Sequence, residues 1–115
     1  VIKVPKVNDP KSLIMKALSD PYVLKILAYS YYSPRSIPEM SLELDIPIAS
    51  CYRKVKLLES LGLMEKVGTK LTIEGKRVAL YRSRLSHMAI EMRGSKVVVR
   101  LKIDESIVKY DLNLI

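Results

Sequence analysis

The side chains that could act on a partner are concentrated in one part of the chain. Ala49, Ser50, Tyr52, Arg53, Lys54 and Lys56 stand close together, and Lys66, Lys70, Lys76 and Arg77 follow at short intervals. Ammonium and guanidinium groups bind phosphate, and a guanidinium also pairs at two points with the O6 and N7 edge of guanine. Small residues beside them let a backbone approach base edges closely. Residues 47–86 hold nine basic and three acidic groups, a net charge of +6, whereas 1–46 and 87–115 each carry +1. Charge concentrated in this way attracts a polyanion through release of its counterions. A solvated surface helix would show similar cations, so the weight of the argument falls on the elements that carry them.

Catalytic chemistry has little to work with. His87 is the only histidine and Cys51 the only cysteine. They lie far apart in sequence, and no Gly-rich phosphate loop, zinc spacing or nucleophile motif accompanies them. The expectation is a protein that is not an enzyme, with no cofactor and no metal. One cysteine excludes an intramolecular disulfide and suits a reducing cytoplasm. Cys51 falls on an apolar helix face, where the ordinary use of a cysteine is as a small core residue.

The stretch 42–63, LELDIPIASCYRKVKLLESLGL, must position the cluster. It reads as helix, tight turn, helix and a Gly-Leu exit. Asp45 occupies the bend, because Asp tolerates left-handed backbone. Pro47 suits a first helical position, where a missing N–H is not felt. Ile48, Cys51, Val55 and Leu58 then recur at helical spacing as one apolar face. Ala49, Arg53 and Leu57 point the opposite way, with Ser50 and Lys56 beside them. Gly62 is expected to end the helix in a left-handed cap.

The remaining elements follow in order. Residues 1–8 are either an extended arm or strand or a disordered tail. Asp9-Pro10 and Asp20-Pro21 each open a helix. Leu13, Ile14, Ala17 and Leu18 form the buried stripe of the first. Val23, Leu24, Ile26, Leu27 and Tyr31 form that of the second, which Ser33-Pro34 ends. Ser36 caps a third helix carrying Met40 and Leu44 inward. After Gly62 the periodicity becomes alternating, and 63–83 reads as a β-hairpin turning at Gly68-Thr69 or at Glu74-Gly75. A hairpin directly after such a helix is the wing of a winged helix-turn-helix, and its basic residues suit phosphate contact.

A second hairpin turns at Arg93-Gly94-Ser95-Lys96 in the II′ form. That register pairs Met92 with Val97, Ile90 with Val99 and Met88 with Leu101 on one apolar face. Glu91, Ala89 and His87 pair with Val98, Arg100 and Lys102 on the other. The apolar face either extends a sheet or makes a dimer interface, or it folds back on the chain's own helices. The tail from Ile107 is a further strand or a docking segment.

The whole is one α+β domain spanning 1–115, with a helical part at 10–63, a wing at 63–84 and a hairpin and tail at 85–115. The chain is 49% hydrophobic, without a run long enough to cross a membrane. No membrane association is expected, since a surface-bound helix needs exposed large apolar groups as well as charge. No signal peptide is visible, and a start at Val fits a trimmed N-terminus. The absence of Gln and the presence of only Asn8 and Asn113 hint at a thermophile.

Ala17-Leu18-Ser19-Asp20-Pro21 followed by Lys25-Ile26-Leu27 resembles the second-helix opening of ArsR-type winged-helix repressors. Leu44 to Arg53, with Leu58-Glu59 and Gly62-Leu63, is similar to the helix-turn-helix of their archaeal members. The resemblance covers about 10–84. It implies a DNA-binding transcriptional regulator, usually a homodimer on a two-fold double-stranded DNA site. Ala49, Ser50, Tyr52, Arg53 and Lys56 are then its DNA-facing residues. The paired metal ligands of sensing members are missing here, and the second hairpin stands where a dimerisation helix is usual. The competing expectation is a winged helix used as a protein–protein interaction module of transcription or replication machinery. RNA binding ranks below both, because the seven Tyr do not form a clear stacking platform.

Overall fold

A computed structural model describes residues 10–113 of the chain. The expectations for 1–8, for Asp9 as a cap and for the last two residues lie outside that range. Four helices come first: α1 (Pro10–Leu18), α2 (Pro21–Tyr29), α3 (Ile37–Leu44) and α4 (Ile48–Ser60). The Asp20 carboxylate accepts from the Tyr22 N–H at 2.9 Å, and the Ser36 hydroxyl accepts from the Glu39 N–H at 3.2 Å. Both are helix starts of the expected kind. Helix α2 stops at Tyr29, earlier than Ser33-Pro34, and leaves Leu24 and Tyr31 exposed.

The α3–α4 turn follows the sequence closely. Asp45 is left-handed, with φ 54° and ψ 51°. Pro47 stands one position earlier than expected, as the residue before the helix. Cys51, Val55 and Leu58 are fully buried. Ile48, expected on the same face, is 57% exposed. It lies outside the core, which includes Ile46 from the turn. Leu57, expected to face outward, is half-buried against the core. Gly62, at φ 76°, ends α4. The Leu63 N–H bonds the Leu58 carbonyl and the Gly62 N–H the Glu59 carbonyl, the double closure of a Schellman motif.

Strands β1 (Met64–Leu71) and β2 (Arg77–Ser83) form an antiparallel two-stranded sheet. Its loop is Ile73-Glu74-Gly75, with Gly75 at φ 80° and a bond from the Gly75 N–H to the Thr72 carbonyl. This settles the turn at Glu74-Gly75 and places Gly68-Thr69 inside β1. A three-residue loop needs a left-handed third residue, which Gly supplies. The strict alternation expected from Leu63 to Ile73 does not hold. Val67 is an extra residue in β1, so the register steps from Lys66 opposite Tyr81 to Gly68 opposite Leu80. A bulge reverses which residues share a face. Lys66 therefore joins Thr69, Leu71 and Arg77 on the side of Tyr81.

Strands β3 (Leu85–Arg93), β4 (Lys96–Ile103) and β5 (Ser106–Asn113) make a second sheet in the order β3-β4-β5. All six predicted pairs of the second hairpin are present. Gly94, at φ 61°, takes the first central position of its turn. The tail is a strand: Val97, Val99 and Leu101 oppose Leu112, Tyr110 and Val108. The apolar face folds back on the helices along part of its length. Val99 and Leu101 belong to one core with Ala17, Leu18, Val23, Ile26, Met40, Val55 and Leu58. Its far end does not, and Ile90 and Met92 are 46% and 65% exposed. No helix among the described residues is long and apolar enough to cross a membrane.

Candidate nucleic-acid interface

Burial of Cys51, Val55 and Leu58 turns the opposite face of α4 to solvent. Ala49, Tyr52, Arg53 and Lys56 are exposed there, and Ser50 is half-buried. Their spacing of three and four residues places them side by side along the helix. Arg53 Nη2 donates to Ser50 Oγ at 3.2 Å, which holds the guanidinium on the outer face near the helix start. Lys56 Nζ donates to Tyr81 Oη at 3.1 Å and reaches Glu59 at 3.4 Å. The bond to Tyr81 raises the Lys56 pKa, so this group stays charged.

Tyr81 comes from β2, so this contact joins helix and hairpin. Between them is a cleft of about 210 Å³ lined by Ile37, Pro38, Tyr52, Val78, Ala79 and Tyr81. Beyond it Lys66, Lys70, Lys76 and Arg77 are all exposed. Lys70 opposes Val78, across the sheet from the face shared by Lys66 and Arg77, and Lys76 closes the loop. Arg77 Nη1 donates to Thr69 Oγ1 at 3.2 Å. Ile73, at the loop tip, is fully exposed. Sequence reasoning missed it; the available signal was an apolar residue inside a Thr-x-Glu-Gly turn. Also missed were Tyr22, Leu42 and Ile48, which border a groove with Pro38 and Pro47 at the start of α4. For Leu42 the signal was a helical position off the buried stripe.

Lys54 does not belong to the exposed set. It leans toward α2, where its ammonium pairs with the Asp20 carboxylate, and it lies 5.8 Å from the centre of the Tyr22 ring. Burial pushes the Asp20 carboxyl up. The hydrogen bond from Lys54, the Tyr22 N–H and the Lys54 charge together outweigh this and hold it below its usual 3.8. The pair therefore stabilises the fold above the unfolded-chain pKa of about 3.9. That stability is lost as pH falls through the lower folded value. Asp20→Asn keeps the cap and removes the charge. Urea unfolding of this variant should show about 0.5–1 kcal/mol less stability at pH 6, and a smaller difference between pH 6 and pH 2.5 than the parent. An equal pH dependence in both proteins would mean that the pair contributes nothing.

Cys51 sits beneath this face with its Sγ 3.9 Å from the Ile37 carbonyl, and burial pushes its thiol pKa up. Among the described residues no three of His, Cys, Asp and Glu are grouped so as to hold a metal ion. His87 is exposed on β3, whereas Cys51 is buried in α4. No protein-family model matches the chain, and no curated protein has a sequence significantly similar to it.

Proposed function

We propose that the chain is a sequence-specific, duplex-DNA-binding transcription regulator, a winged helix-turn-helix of ArsR-like kind that acts as a cytoplasmic homodimer. In this reading α4 enters the major groove and β1–β2 is the wing on the phosphate backbone. Arg53 reads a base edge, with Ala49, Ser50 and Tyr52 beside it. Lys56, Lys66, Lys70, Lys76 and Arg77 grip the strands, while Lys54 stays with Asp20. The observation that carries the reading is that exposed cations of two elements adjoin, with Lys66 and Arg77 on the Tyr81 side of the hairpin, Lys76 at its loop and Lys70 on its other face. The exposed face of α4 continues across the Lys56–Tyr81 contact onto a hairpin with four exposed cations. A helix of this width fits a major groove about 12 Å across, and hairpin cations beside it suit the flanking phosphates.

Titration of fluorescent duplexes across a salt series tests it. Affinity should fall steeply and linearly in the logarithm of salt, with a slope that reports the number of phosphates neutralised. Duplexes selected from a random pool should bind more tightly than the pool itself. No salt-sensitive affinity for any duplex would defeat the proposal.

One observation favours a second reading, a winged helix that docks on another protein. Leu42 is 79% exposed beside Ile48 and Tyr22, and such an apolar groove at the start of α4 suits a protein partner better than phosphate. Under that reading duplex affinity is absent, and Leu42→Ser has a strong effect on partner binding.

A further inference from the structure

Among the described residues the second sheet ends in an open edge at β5. Among the described residues β5 pairs with β4 alone, and its outer side borders a shallow groove lined by Lys109, Tyr110 and Asp111 with Lys11 of α1. A strand of eight residues without proline offers a row of backbone donors and acceptors to another strand. Its side chains are sorted by face. Val108, Tyr110 and Leu112 lie with Val97, Val99 and Leu101, and Ile107, Lys109 and Asp111 lie opposite. Ile107 is 74% exposed and Val108 38%.

We propose that β5 pairs antiparallel with β5 of a second copy about a two-fold axis at Tyr110, joining two three-stranded sheets into one of six. The inference rests on the homodimer reading above and specifies its interface. The register follows from the strand's own sequence. Keeping the apolar face continuous requires residues 108, 110 and 112 to oppose residues of the same set, so the axis passes through a residue position. An axis at Lys109 sets two ammonium groups opposite each other, and an axis at Asp111 does the same for two carboxylates. An axis at Val108 brings Glu105 against Asp111. Only an axis at Tyr110 sets Lys109 of each copy against Asp111 of the other. It also pairs Val108 with Leu112 and Ile107 with Asn113. Opposite charges directly across a strand pair stabilise it, and like charges oppose it. The strand is thus complementary to itself in one register, and the occupant it fits is a second copy of this chain.

Charge reversal tests the register at exposed positions. Lys109→Asp places two carboxylates opposite each other on both sides of the axis. The dimer dissociation constant measured by analytical ultracentrifugation should rise about tenfold or more. Lys109→Asp combined with Asp111→Lys restores both pairs and should return the constant to within about threefold of the parent. In a Cys51→Ser background, Tyr110→Cys should form an intermolecular disulfide on mild oxidation, because residues directly opposed have Cβ atoms about 5 Å apart. Lys109→Cys should not, since its counterpart is diagonal and out of reach. A dimer that ignores the charge reversals and does not cross-link at 110 overturns this interface while leaving the homodimer standing. A chain that stays monomeric at every concentration overturns both, and the duplex titration still judges DNA binding on its own.

Discussion

Arg53→Ala should weaken binding to a selected duplex by about 1–3 kcal/mol, roughly five- to 150-fold, and relax the preference at one base pair in each half-site. The size follows from the loss of a two-point guanidinium contact to guanine. Arg53 is exposed, and among the described residues its side chain donates to Ser50 Oγ on its own helix. The substitution therefore removes recognition without touching the core. Lys76→Ala provides the contrast. Lys76 closes the hairpin loop through its backbone, where its N–H bonds Thr72 Oγ1 and its carbonyl accepts from the Thr72 N–H. Truncating the side chain leaves that turn in place. Affinity should drop by a similar factor on every duplex, and the salt slope should fall by about one. If the two variants behave alike, α4 is not the reading element. If Arg53→Ala changes no preference at all, the base contact is made elsewhere.

Leu58→Ala should lower the unfolding free energy by about 2–5 kcal/mol, with a melting temperature lower by roughly 10–20 °C. Leu58 is fully buried where α4 meets the other helices, and its carbonyl accepts from the Leu63 N–H that closes the helix end. Alanine keeps helix propensity and the backbone bond, so the loss reports the buried groups removed and the cavity they leave. Thermal and urea unfolding should agree on it. A loss below about 1 kcal/mol would mean that the core around α4 collapses to fill the gap. Duplex affinity measured well below the transition should change far less than for Arg53→Ala, because Leu58 faces away from the exposed surface.

Most of the secondary structure was legible because it rests on local chemistry. Asp20 and Ser36 mark helix starts, Asp45 and Gly62 supply left-handed backbone, and Gly94 fixes the register of β3 and β4. What escaped depended on neighbours distant in sequence. Ile48 lies outside the core while Ile46 is within it, and the inward lean of Lys54 follows from Asp20 thirty-four positions earlier. The bulge at Val67 leaves no mark in an alternating pattern, since one extra residue only exchanges the two faces beyond it. Of the ten expected contact residues, nine lie on the exposed helix face, at its border or on the hairpin, and Lys54 turns to Asp20 instead. Periodicity identified the face. It could not show that an ammonium on a long stem would turn aside to a carboxylate on another helix.

The hairpin β1–β2 behaves mechanically as a cantilever. Its root is clamped: Arg35 and Tyr81 exchange backbone hydrogen bonds at 2.9 and 2.8 Å, and the Ser83 N–H reaches the Ser30 carbonyl at 3.2 Å. The Arg35 side chain extends the clamp by stacking 4.1 Å from the centre of the Tyr29 ring and pairing with Glu39. From Lys66 outward β1 is exposed, as are the loop and Arg77. Segments with few buried contacts deform at low free energy, while the clamped region moves only with the whole fold. A load applied at Ile73 or Lys76 is therefore absorbed by bending of the outer hairpin. On the duplex proposed above, such a tip would follow a groove that widens or narrows from one site to the next, while α4 would keep its position because the root does not yield.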